Sequence, residues 1–135
     1  MRGGFYFHIE PGNSFVAGGF WGPNKDDLFK LRKGIESEES EFRRILDSVR
    51  FKKVFGELIG DQLKTAPKGF DKDLSSIDLL RYKQYILKHD FTDEEVKSQD
   101  FHKKAVEIFI AMHPLFDLMS YILTTDENGT PLFEK

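Results

Sequence analysis

Hydrophobic and polar positions alternate almost from the start of the chain. Phe5, Phe7 and Ile9 fall on one side and Tyr6, His8 and Glu10 on the other, the period-two pattern of a strand with one dry face. Pro11-Gly12-Asn13 follows with turn chemistry, since proline fixes φ while glycine and asparagine accept positive φ. Residues 14–21 resume the strand pattern, and the two runs predict a β-hairpin. Gly18-Gly19 inside the second run marks a bulge, or a place where another backbone or a ligand comes close.

The period then changes. Asn24 caps a helix whose first turn holds Asp26 and Asp27, and Leu28, Leu31 and Ile35 share one face, with Gly34 near its end. Residues 37–41 form an acidic entry to a second helix carrying Phe42, Ile45, Leu46 and Val49 at core-facing spacing. Its far end holds Arg43, Arg44, Arg50, Lys52 and Lys53, a charge order that the helix dipole favours. Residues 61–65 predict a short strand and residues 66–69 a loop. Ser75 with Asp78, and Thr92 with Glu95, are spaced as capping boxes, with Leu74–Leu79 and Phe91–Val96 as their hydrophobic staples. Residues 82–87 between them predict a strand. Ser98 opens a long helix bearing Phe101, Ala105, Ile108, Met112, Leu115, Met119 and Ile122, which Pro114 should kink or split. Asn128-Gly129 in the tail, residues 124–135, predicts a turn or fraying.

The elements add up to one α+β domain over residues 1–135, a small mostly antiparallel sheet that starts with the N-terminal hairpin and packs against several helices. Composition agrees: 39% hydrophobic and 32% charged residues suit a globular chain and exclude a largely disordered one. The absence of cysteine excludes disulfides, thiolate metal sites and cysteine nucleophiles. With 20 basic against 23 acidic residues the chain lacks the basic excess of a general nucleic-acid binder. The apolar runs are short or glycine-rich, so no membrane span is expected, and without a signal-peptide core the default location is cytoplasmic.

Tyr6-Phe7-His8-Ile9-Glu10-Pro11-Gly12, then Trp21, then Pro67-Lys68-Gly69-Phe70-Asp71, and Tyr82-Lys83 before an acidic capped helix, occur in an order and spacing that resembles the domain-of-unknown-function 2461 family. The match covers nearly the whole chain. The resemblance implies no established activity, cofactor or catalytic residue. The family's signature of the form Arg-x-x-Arg-Asp-x-Arg-Phe lies upstream of the hairpin in its members and is not found here, so the resemblance is to the C-terminal part of a larger family domain.

Nothing in the sequence determines a biochemical activity, and whether the chain is an enzyme stays open. Tyr6, His8 and Glu10 are the richest constellation. Alternate residues on a strand stand about 7 Å apart on one face, so a phenol, an imidazole and a carboxylate in a row can bind a polar ligand or move a proton. The plainer reading is a solvent-facing or covered strand face. Lys68 and Gly69 suit a loop that touches a ligand, or an ordinary turn. Arg81, Lys83 and Lys88 with Lys64 form an anion site, or solvated charges near a sheet edge. His8, His89, His102 and His113 lack the close spacings of a zinc site, and neither a nucleophile elbow nor a phosphate-binding glycine loop is present. No cofactor is implied.

The leading expectation is a non-enzymatic binding or interaction module of unknown partner, in contact with a partner chain or a second copy at the hairpin. The alternative is a binder of a small anionic ligand, or an enzyme, that uses the Tyr6, His8 and Glu10 face. Nucleic-acid binding through the basic cluster that starts at Arg43 is a minor third option, since Glu41, Asp47 and Glu57 dilute its field.

Overall fold

The computed structural model describes residues 4–125. Strands β1 (Gly4–His8), β2 (Ser14–Phe20) and β3 (Tyr85–Phe91) form one antiparallel sheet in the order β1-β2-β3. Between β2 and β3 come helices α1 (Lys25–Ser37), α2 (Glu39–Leu46), α3 (Val49–Val54) and the single turn α4 (Ile77–Leu80); α5 (Asp93–Lys97) and the long α6 (Phe101–Thr124) follow β3. The α+β class, the opening hairpin and the long last helix are as the pattern predicted.

Register separates the two faces of the sheet. Phe7 stands opposite Val16, and Val16 opposite His89; Gly18 stands between Phe5 and Leu87. Phe5, Phe7, Val16, Phe20, Leu87 and Phe91 therefore share one face. Helix α6 crosses that face: Phe5 meets Phe109 and Phe116, Phe20 meets Phe116, and Phe91 meets Phe101. Tyr6, His8, Phe15, Ala17, Lys88 and Asp90 point the other way. The sheet and its helices are thus two layers around one core, centred on Val16, Phe42, Leu80, Leu87, Met112 and Met119, all fully buried.

Glycines seat α6. The pairing through Gly18-Gly19 is continuous, with no bulge; the absent side chain serves close approach instead. A Cβ on Gly18 would stand 2.9 Å from Phe5 Cδ1 and 3.1 Å from Met112 Sδ and Phe116 Cε2. Gly34 lies near the end of α1, with three helical residues beyond it. It lies where α1 packs on α6, and a Cβ there would collide with Ile122.

Other boundaries differ from the pattern. The second predicted helix divides because Ser48 accepts a hydrogen bond from the Phe51 N–H at 3.2 Å and caps a new helix, α3. Residues 61–65 make no strand, only the isolated bridge from Gln62 to Tyr82. The strand predicted at 82–87 starts at Tyr85 and continues to Phe91, its polar Lys88 and Asp90 facing away from the core. Pro114 sits inside one continuous α6, where burial of Ala111, Met112 and Leu115 around it outweighs the missing N–H. An 18-residue stretch of that helix, with a mean hydropathy of 1.5, is long and apolar enough to cross a membrane by length and composition only, as a core helix also can be; here one side of the helix fills the core. The predicted tail turn, residues 126–135, lies outside the described residues.

Of the two capping boxes, Thr92–Glu95 forms in full. Ser75 and Asp78 do not cap α4; they reach across to α2. Arg43 donates to both carboxylate oxygens of Asp78, at 2.7 and 3.2 Å, and to Glu39 at 2.8 Å, while the Ser75 hydroxyl donates to Glu39 at 2.6 Å. The hydrogen bond from Arg43 holds the Asp78 carboxyl below its ordinary pKa, and the bond from Ser75, then that from Arg43, does the same for Glu39.

Two outcomes follow. Gly34→Ala should destabilise the fold by about 1–3 kcal/mol through overpacking, although alanine favours an isolated helix by about 1 kcal/mol. Chemical denaturation reads this, and a variant as stable as the parent contradicts the contact with Ile122. Depressed carboxylate pKa values mean that the Arg43 network contributes fully above the unfolded value of about 4 and is lost as pH falls through the folded values. The gap in melting temperature between the parent and Arg43→Gln should therefore be largest near neutrality and close on acidification; a gap that persists unchanged into strong acid overturns the assignment.

Candidate functional site

The open face of the hairpin brings three of the six candidate residues together. The Tyr6 hydroxyl lies 3.4 Å from His8 Nδ1, and His8 Nε2 lies 3.6 Å from Glu10 Oε1. Strand alternation sets the row, and the turn holds its end. Asn13 Nδ2 donates to Glu10 Oε1 at 3.2 Å, and the Glu10 backbone N–H donates to the Ser14 hydroxyl at 3.0 Å. The Gly12 N–H donates to Asp93 at 2.8 Å, which ties the turn to the first residue of α5.

The register adds three residues that the sequence reading had not joined to this row. Phe15, paired with His8, stacks on it with ring centres 5.2 Å apart. Lys88 stands opposite Ala17, which separates it from Tyr6, with its Nζ 4.5 Å from the centre of the Phe15 ring and 3.4 Å from Asp90. Alternation alone put Lys88 and Asp90 on one side of β3; their level against Phe15 depends on a pairing with no local signal.

Lys68, Arg81 and Lys83 stay apart from the row. The loop of Lys68 belongs to the helical layer: Phe70 packs on Phe29 of α1 with ring centres 5.5 Å apart, and Lys33 Nζ sits 5.2 Å from the Phe70 ring. Lys68 itself is exposed. Arg81 and Lys83 precede β3, where the Leu63 N–H donates to the Arg81 carbonyl and the Lys83 N–H to the Asp61 carbonyl. They lie beyond Tyr85, and Tyr85 is already about 17 Å along β3 from Asp90, the residue level with His8.

Chemically the row can hold a proton between a phenol, an imidazole and a carboxylate. It has no walls, however. The His8 and Glu10 side chains are 30% and 55% exposed, so water screens their interaction, unlike the concave, apolar setting of most small-molecule sites. Among the described residues no three His, Asp or Glu side chains cluster as a metal site would require.

The edges of the sheet differ more than its faces. β3 is covered outside: Ile59 and Ile86 exchange backbone hydrogen bonds at 2.8 and 2.9 Å, and the Val54 carbonyl lies 2.6 Å from His89 Nδ1. β1 is the other edge, and among the described residues no strand pairs with its outer side. Phe5, Tyr6, Phe7 and Ile9 are all exposed to a third or more of their surface, as is Trp21, whose indole N–H donates to the Gly4 carbonyl at 3.3 Å.

Such a fold and surface define a small two-layer α+β domain whose aromatic edge strand is unpaired on its outer side among the described residues. The chain belongs to the family of conserved hypothetical proteins DUF2461, whose model matches residues 1–118. No curated protein and no solved structure matches it.

Proposed function

We propose that the protein is a non-enzymatic binding module whose contact surface is the free edge of β1 together with the stripe of α6 beside it. The observation behind this reading is the exposure of aromatic and aliphatic side chains along one edge: Phe5 50%, Tyr6 52% and Ile9 53%. Val106 and Ile110 on α6 are exposed to 51% and 50%, and Phe109, on the same side of that helix, touches both Phe5 and Phe7. Contiguous apolar surface of this kind marks interaction sites.

The edge itself invites a strand. β1 reads Gly-Phe-Tyr-Phe-His, without the lysine, proline or bulge that keeps other chains off an edge strand. An extended polypeptide can add to it through main-chain hydrogen bonds, with alternate side chains giving selectivity. A second copy of β1 meets the same requirement, because antiparallel pairing of a strand with itself is two-fold symmetric. The Tyr6, His8 and Glu10 row then serves as the polar flank of the contact. As a site for a small anionic ligand it lacks both enclosure and the cations Lys68, Arg81 and Lys83.

Self-association is the direct measurement. Sedimentation velocity over a wide concentration range should show reversible association of the parent protein. Tyr6→Lys with Val106→Lys should shift it to monomer by tenfold or more in dissociation constant, with circular dichroism and melting unchanged. A protein that stays monomeric at every concentration, or an assembly indifferent to both lysines, overturns the proposal.

A further inference from the structure

On the flank of α6 away from Phe109, a depression of about 130 Å³, half open to solvent, lies where α2 breaks into α3. Ala111 and Pro114 of α6 form one wall; Ile45, Ser48 and Phe51 form the other, with Arg44 and Arg50 also in the lining. Ile45, Phe51 and Ala111 are buried, whereas both arginines are exposed, so the cavity has an apolar floor and a cationic mouth. The Ser48 hydroxyl is committed, donating to the Ile45 carbonyl at 2.9 Å and accepting from the Phe51 N–H. Arg44 is paired with Glu41. Arg50 has no acidic partner among the described residues.

We infer that this cavity binds a small amphipathic anion: a carboxylate carried on an aromatic ring or a short hydrocarbon chain. Size and chemistry agree on that class. A sealed apolar cavity of about 150 Å³ takes up benzene; this space has a similar volume but is open on one side, so a single ring or short chain rests in it with one edge in water. The guanidinium of Arg50 offers two parallel N–H donors to a carboxylate at the mouth, and Arg44 adds a second cation. Phe51, Ala111 and Pro114 then cover one side of the hydrocarbon part. The break at Ser48 creates the space, since one unbroken helix would not step aside there.

The probes are sodium benzoate, neutral benzyl alcohol and inorganic phosphate, titrated into the whole protein at constant ionic strength and followed by amide NMR shifts. Benzoate should give saturable shifts confined to residues near Ser48 and Pro114, at least tenfold tighter than either other probe. Arg50→Gln, an exposed change that should leave the fold intact by circular dichroism, should weaken benzoate about tenfold. Equal binding of benzyl alcohol removes the role of the arginines, equal binding of phosphate removes that of the apolar floor, and an unchanged Arg50→Gln variant or no saturation overturns the site. None of these readouts involves β1, so the result stands apart from the self-association measurement.

Discussion

The seating of α6 on the sheet is the constraint on which the rest of the structure depends. A three-stranded sheet has one face to bury, and here a single helix of 24 residues supplies most of the cover. Such a helix can come close only where the sheet has no side chains in the way. Gly18 gives that clearance in β2, so Met112 and Phe116 settle against the strand, and Gly34 gives it again in α1, so Ile122 settles against the helix. With α6 fixed at both places, α1, α2 and α3 pack against it. Met112, Leu115 and Met119 are sealed between the layers.

What could be read from the residues follows from the range of the interactions involved. The hairpin was legible because alternation, Pro11-Gly12-Asn13 and the return strand are all local. The Thr92–Glu95 box was legible for the same reason. Ser75 and Asp78 have the same spacing and went elsewhere, because Arg43 and Glu39, more than thirty residues away in sequence, compete for them. Gly34 was legible as a position near the helix end, but its need to lack a Cβ comes from Ile122, far along the chain, and had no local signal. Of the site, the Tyr6, His8 and Glu10 row was legible since it lies on one strand; Phe15 and Lys88 required the strand pairing. Lys68 lies in the helical layer because Phe29 and Lys33 draw Phe70 onto α1.

The two edges of the sheet show different solutions to one problem. An edge strand presents unpaired N–H and C=O groups, and proteins normally cover or charge them. At β3 both devices are present: Ile59 takes up hydrogen bonds of Ile86, and Lys88 and Asp90 put charge on the strand. At β1 neither appears among the described residues, and the side chains are aromatic instead of charged. Phe5 and Phe7 are held by α6 on their inner side yet keep half and a third of their surface in water. Aromatic side chains left in that state favour contact with a further apolar surface, because burying what is left is worth roughly 25 cal/mol per Å².

Helix α6 gives the same signal from the other layer. A helix that is apolar on one stripe is accounted for by the core behind it, but one that is apolar on two stripes has an unused face. In α6 the first stripe runs through Ala105, Ile108, Met112 and Met119 and is buried. The second runs through Val106, Phe109 and Ile110, and it adjoins Phe5 and Phe7 of β1. Core packing explains the first and gives no reason for the second, since Val106 and Ile110 leave half their surface uncovered. That the surplus lies beside a strand edge unpaired among the described residues, and not beside the guarded edge of β3, is the ground on which strand and helix are proposed as one contact surface.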